Sequence, residues 1–240
     1  MYDVTPTLSI SPSLCVRDLG INISHDLSWD EHIHIICKKA NQVSAWVLKV
    51  FYSRNREILL ALFCSLVRPL IEYCPEVWNP YKVKNIAKIE QVQRSFTSRI
   101  EGLKNSNYWE RLGELKLSSL QRRRERAIIM VMWKIKNGLY PNQINLQFKF
   151  HDKTNSVRAI LCSMPKITGS LLTKFEECFI VKAVKLWNVL PPVITHLTEL
   201  NAFKSGLDNF LNNTPDLPPI PGYPYQNNNS LLSYYKQKSR

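Results

Sequence analysis

No two aspartates are adjacent anywhere in the 240 residues, and that lack bears first on polynucleotide chemistry. A polymerase or a two-metal nuclease needs carboxylates converging on ions about 4 Å apart, whereas the adjacent acids here are Asp30-Glu31 and Glu176-Glu177. Both pairs fall in the first turns of expected helices, where acids complement the helix dipole. No GxxxxGK(S/T) loop, GxSxG elbow or HExxH pair occurs, so no motif for nucleotide hydrolysis, acyl transfer or zinc-dependent hydrolysis is present. The six cysteines, Cys15, Cys37, Cys64, Cys74, Cys162 and Cys178, make no CxxC and join no histidine at zinc-ligand spacing; they read as reduced thiols. The most apolar run, Ile58 to Val67, is shorter than the roughly 20 residues that span a bilayer. Met1 to Pro12 has neither the basic nor the apolar part of a secretory signal. The expectation is an intracellular protein, cytoplasmic or nuclear, away from membranes, with no catalytic residue, no metal and no cofactor.

What is present is a globular composition, 45% hydrophobic and 21% charged, in a chain long enough to bury a sizeable core without staples. Basic residues dominate, 32 Lys+Arg against 19 Asp+Glu, for a net charge of +13 and a pI near 9.5. The excess is uneven. Residues 1–81 carry a net −1, residues 82–136 a net +9 and residues 137–240 a net +5. A dense basic stretch attracts a phosphate backbone through counterion release, and it equally suits a solvated face or an acidic protein partner.

The periodicity is mostly helical. Residues 1–25 read as extended, with Pro6 and Pro12 against helix and an alternation around Leu19, Ile21 and Ile23 that predicts one short strand. Ser28 and Glu31 have capping-box spacing, followed by Ile33, Ile36, Ala40, Val43, Val47 and Val50 at three- and four-residue steps. A second helix over 56–73 is apolar on nearly every side, as for the central member of a bundle, with a kink at Pro69. A third, 82–100, buries Ile86, Ile89, Val92 and Phe96 and shows Lys82, Lys84, Lys88 and Arg94 outside. Asn107 with Glu110 opens a short helix, and Ser118 with Gln121 a longer one that stops at Asn137-Gly138. Helices over 175–190 and 201–211 follow an irregular connection. The Pro- and Asn-rich segment from Thr214 onward predicts a disordered tail. The fold class expected is therefore all-α: an extended segment over 1–25, a helical bundle over 26–138, a connection with C-terminal helices over 139–213, and the tail over 214–240.

Arg122-Arg123-Arg124-Glu125-Arg126 is the most pointed basic feature. On a helix Arg122, Arg126 and Trp133 share a stripe, an arrangement suited to gripping a phosphate beside an aromatic ring. Arg124 falls instead near Leu120, Ala127 and Val131, where an internal ion pair suits it. His25, His32 and His34 crowd the first helix, yet His32 and His34 project from different faces. Trp46, Trp78, Trp109 and Trp187 sit among apolar residues and read as core anchors rather than base-stacking platforms.

The order of short strings is the more specific signal. Asp18-Leu19-Gly20-Ile21, then Leu27-Ser28-Trp29 and His32-Ile33, resemble the segment that leaves the palm of reverse transcriptases of non-LTR retrotransposons, the jockey-type long interspersed elements (LINE), and enters their helical thumb. Ser65-Leu66-Val67-Arg68-Pro69 with Glu72-Tyr73-Cys74 and Val77-Trp78-Asn79-Pro80 looks like that family's thumb hairpin. So does the run from Ile89 to Thr97, followed by Glu110-Arg111-Leu112 and Leu117-Ser118-Ser119-Leu120. Arg123-Arg124, Trp133-Lys134-Ile135 and Gly138 continue the pattern, and the stretch from Lys185 to Pro191 with Phe203-Lys204 to Leu207 is similar to the family's last motif. The likeness covers roughly residues 16–211.

The resemblance implies a thumb and post-thumb region related to RNA-directed DNA polymerase. In that family the metal-binding aspartates, with their Tyr-x-Asp-Asp box, lie upstream in the palm, and this chain begins after them, so polymerisation by this chain alone is not expected. The thumb's work is to hold the primer-template by its backbone, which makes the implied partner RNA, DNA or an RNA–DNA hybrid. By charge and helix phase the residues expected at that backbone are Lys82, Lys84, Lys88, Arg94, Arg122, Arg123 and Arg126. The alternative is a helical protein-interaction module without nucleic-acid binding, whose apolar face meets a palm domain or another protein. Without a palm the single strand also lacks a sheet, and marginal stability is expected.

Overall fold

In the computed structural model, which describes residues 13–140, 178–216 and 231–232, Leu19 and Gly20 carry φ of +44° and +86°. Two successive positive values are what a two-residue hairpin turn requires. Two strands accordingly form where the alternation predicts one. β1 (Cys15–Asp18) pairs antiparallel with β2 (Ile21–Ser24), Val16 opposite Ile23 and Asp18 opposite Ile21. The hairpin supplies its own pairing and is tied to the helices: Ile21 is buried, the Tyr73 hydroxyl donates to the Leu19 carbonyl at 3.2 Å, and the Asn22 N–H donates to His32 Nδ1 at 3.3 Å.

Helix α1 (Asp30–Val50) begins without the expected capping box. Its N-cap is Trp29, no side chain caps it, and the Asp26 carboxylate is used to accept the Ser28 N–H in the preceding turn. Ile33, Ile36, Ala40 and Val47 are buried as their spacing requires, together with His32 and Cys37, while Val50 is exposed. The His32 ring lies 5.3 Å from that of Trp78, and burial lowers its pKa.

The expected kink at Pro69 takes another form. α2 (Arg56–Leu62), capped by the Asn55 side chain, runs into a π turn over Phe63–Val67 and a 3-10 turn over Arg68–Ile71. Leu59, Phe63, Val67 and Ile71 are fully buried. A stripe at every fourth residue drifts around a helix of 3.6 residues per turn, and the wider π turn takes that drift back. The segment buries this one stripe and leaves Ile58 and Leu66 in solvent; it flanks the bundle rather than forming its centre.

A one-turn helix α3 (Pro75–Trp78) follows, then α4 (Val83–Thr97), α5 (Tyr108–Glu114) and α6 (Leu120–Lys136). The Asn107–Glu110 capping box is complete. The cap of α6 is Ser119, one residue beyond the expected Ser118, whose carbonyl instead accepts from Gln93. Gly138, at φ +67°, ends α6. After it come α7 (Phe179–Trp187), α8 (Pro192–Thr195) and α9 (Leu200–Asn212). The connection over 141–177, Glu176-Glu177 and Cys162 included, and the tail beyond Asp216 apart from Leu231 and Leu232 lie outside the described residues. Within the described residues the fold is all-α with a short N-terminal hairpin.

Two cores meet at α6. One joins the hairpin, α1, the stripe 59–71, α4 and Leu120, with the Phe63 and Phe96 rings 5.1 Å apart. The other joins Ile128 to Trp133 with α7, α8, α9 and Leu231. There Phe203 is stacked between Trp133 and Trp187, at 5.5 and 5.9 Å. Trp78 and Trp187 are core anchors and Trp109 packs at a smaller cluster with Tyr108. Trp46, expected in the core, is 56% exposed.

Candidate nucleic-acid interface

Arg122, Arg123 and Arg126 of α6, expected at a phosphate backbone, are engaged within the chain. Arg122 is 2% exposed; its Nη2 donates to the Pro215 carbonyl at 2.6 Å and its Nε lies 3.8 Å from Asp216. Arg123 donates through Nε and Nη2 to both oxygens of Glu72, the second contact at 2.9 Å. Arg126 grips Asp208 on α9 in the same two-pronged way, with Nη2 to Oδ2 at 2.9 Å. Trp133, expected beside them at the surface, is buried and donates its indole N–H to the Leu197 carbonyl. Each expected phosphate ligand of this helix holds α6 to another part of the chain.

Arg124 is buried as its phase requires, yet within 4 Å among the described residues it meets no carboxylate. Its Nε donates to Asn79 Oδ1 at 3.2 Å, and Nη1 and Nη2 have no hydrogen-bond partner among the described residues. Burial lowers its pKa, with Glu90 and Glu125 opposing that shift from a distance. Glu90 accepts from the Tyr108 hydroxyl and from the Leu120 N–H, and Glu125 accepts the Leu231 N–H with both oxygens at 3.2 Å. Burial pushes each of these two carboxyls up to about 7. Part of the +9 of residues 82–136 is thus held within the fold, with Arg111, Arg122 and Arg124 buried and Arg123 and Arg126 paired to acids of other segments, while Lys84, Lys88, Arg99, Lys104, Lys116 and Lys134 are exposed.

Some of the exposed basic residues converge elsewhere. α1 and α4 pack side by side, and between their outer faces runs an open groove of about 740 Å³ lined by His34, Lys38, Asn41 and Gln42 of α1 and by Lys84, Lys88 and Gln91 of α4. No carboxylate lines it. Lys88 Nζ lies 3.0 Å from His34 Nδ1. At one end Lys82 and Lys84 both donate to Asp30 Oδ2, at 3.1 and 2.9 Å, while Asn85 donates to Oδ1. Those bonds, Lys84 first, then Asn85 and Lys82, hold the Asp30 carboxyl well below the usual range. The floor is Cys37, whose thiol burial pushes up to about 11; it is a packed, protonated group.

Of the seven residues expected at a backbone, the structure thus brings together Lys82, Lys84 and Lys88, leaves Arg94 half-buried on the same helix, and takes Arg122, Arg123 and Arg126 away. Lys38, Asn41 and Gln42 were missed, although His34, Lys38, Asn41 and Gln42 form a polar stripe at helical spacing. The three histidines do not gather: among the described residues no group of three or more His, Cys, Asp or Glu is placed to hold a metal ion. The five described cysteines are free thiols. Among the described residues no helix is long and apolar enough to cross a membrane.

Comparison with known proteins adds one relative. The Caenorhabditis elegans protein "Uncharacterized protein B0403.1" is 27% identical over 128 residues, which cover 52% of this chain and 65% of the relative. The chain thus spans less than two thirds of that relative's length. No family model matches, and no solved structure matches.

Proposed function

We propose that the chain is a retrotransposon-derived module related to the thumb and post-thumb region of non-LTR reverse transcriptases, and that it binds nucleic acid by its backbone without polymerising it. The order of landmarks from Asp18 to Leu207 supports the relationship. The absence of any Asp-Asp pair in the sequence supports the lack of polymerase chemistry. The observation that carries the binding reading is the α1–α4 groove: Lys38 and Lys88 from two helices, joined at one end by Lys84, which shares Asp30 with Lys82 but stays exposed, and flanked by amides able to donate to phosphate oxygens. Lys38, Lys84 and Lys88 are the proposed phosphate contacts, with Lys82 at the end of the row.

The test is titration of the folded full chain with a labelled RNA–DNA hybrid. Three phosphate contacts, at about 0.9 each in the slope of log affinity against log salt, imply roughly 40-fold weaker binding when salt rises from about 50 to about 200 mM. An affinity that is flat across that range would count against the reading.

A second reading, a protein-interaction module, is favoured by exposed apolar side chains: Trp46 on α1, Tyr52 in the α1–α2 connection, Ile58 on α2 and Leu66 in the π turn that follows it. A folded chain that is monomeric by size-exclusion chromatography and does not bind a hydrophobic dye counts against it.

A further inference from the structure

Beside the lysine row lies a partly open cavity of about 340 Å³ between the turn that precedes α1, the α3–α4 connection and the start of α7. Its walls are aromatic, with Trp29, Tyr81 and Phe179, and its polar points are Asn79, Asp26 and Glu76. Asn79 is oriented: its Oδ1 accepts from the buried Arg124, so the amide NH2 is the end left to donate. Lys82 and Lys182 complete the charged lining, and Lys82 Nζ is turned to Asp30.

The charges sort what can enter. Asp26 and Glu76 offset Lys82 and Lys182 in the lining, and Lys82 is already held by Asp30, so the cavity carries no excess of positive charge for a phosphate, while the carboxylate oxygens accept N–H bonds. Flat aromatic walls with a few hydrogen-bonding points are the surroundings in which an unpaired base is held, stacked on its faces and read on its edge. The volume lies at the lower end of the range for small-ligand pockets, which suits one planar ring system. The cavity is also joined to the groove: Lys82 lines the cavity, Lys84 lines the groove, and the two share one oxygen of Asp30.

Resting on the backbone reading above, we propose that the cavity between Trp29, Tyr81 and Phe179 takes one unpaired nucleobase of a strand whose phosphates follow Lys82, Lys84, Lys88 and Lys38. The ligand class is thus a duplex with a single-stranded overhang, or a single strand, rather than a fully paired duplex. The base stacks on the aromatic walls, donates its amino or imino hydrogens to Asp26 or Glu76, and accepts from Asn79.

The experiment uses the full chain and an RNA–DNA hybrid with a short overhang in which 2-aminopurine, and separately an abasic site, replaces each overhang base in turn. At one position 2-aminopurine fluorescence is expected to be quenched on binding. The abasic substitution there is expected to weaken binding roughly tenfold, the size of one stacked base, with the salt slope unchanged. Tyr81→Ala should abolish the quenching and leave the slope, and because the abasic series alters only the ligand, it decides the matter even if that variant folds poorly. Salt-dependent binding with no quenching and no abasic penalty at any position overturns the base pocket and leaves the groove standing. Absence of salt-dependent binding by the folded chain overturns both.

Discussion

Glu90→Gln isolates what a buried carboxylate costs this fold. Glu90 is 1% exposed, accepts from Tyr108 and from the first N–H of α6, and is pushed by burial from 4.5 up to about 7. Below pH 4.5 it is protonated in both folded and unfolded chains, and its contribution to stability is fully present. As pH rises toward 7 the unfolded chain releases this proton while the folded chain keeps it, so stability is lost across that window. A displacement of about 2.5 pH units at 1.36 kcal/mol each amounts to about 3 kcal/mol. Glutamine keeps an oxygen for the same donors but does not titrate. The difference in unfolding free energy between Glu90→Gln and the parent, measured by urea denaturation from pH 4.5 to pH 7.5, should move toward the variant by about 3 kcal/mol. His32, whose pKa burial lowers, titrates in the same window with the opposite sign, but it is common to both proteins and cancels. A difference that stays constant with pH would refute the placement of Glu90 as a proton-holding buried acid.

Two further perturbations test other parts of the fold. Phe203→Ala removes the ring sandwiched between Trp133 and Trp187 and should cost about 3–5 kcal/mol, read by denaturant unfolding; a loss under about 1 kcal/mol would show that the second core does not depend on this stack. Asn107→Ala opens the capping box of α5 and should cost about 1 kcal/mol, with unchanged stability as the contrary result.

Features encoded by neighbours in the chain were legible in the sequence. The Asn107–Glu110 box, the buried stripe Ile86, Ile89, Val92 and Phe96, and the glycine stop after α6 all depend on spacings of a few residues. What was hidden depends on distant partners. Arg123 finds Glu72 across 51 positions, Arg126 finds Asp208 across 82, and Arg122 finds Pro215 across 93; no local pattern marks those pairs, so a run of arginines reads as a surface patch until its carboxylates are placed beside it. The hairpin was half visible, because four-residue strands give little alternation and Leu19 takes a positive φ that its side chain does not advertise. The groove was half visible in α1: the polar stripe of His34, Lys38, Asn41 and Gln42 was there, but the face opposite it on α4 is fixed only by packing. Trp46 misled because its neighbours are apolar while its own helical phase points outward.

On the proposed function the α1–α4 face, and not the arginines of α6, meets the nucleic-acid backbone. Two triple variants decide it side by side, Lys38→Gln/Lys84→Gln/Lys88→Gln and Arg122→Gln/Arg123→Gln/Arg126→Gln, each shown to be helical and titrated with the same labelled hybrid over the same salt series. The lysine variant should lose about 2.7 from the slope of log affinity against log salt, about 0.9 for each phosphate contact removed, while the arginine variant keeps the parent's slope and loses only stability. The reverse pattern, a slope flattened by the arginine changes and untouched by the lysine changes, would contradict the account.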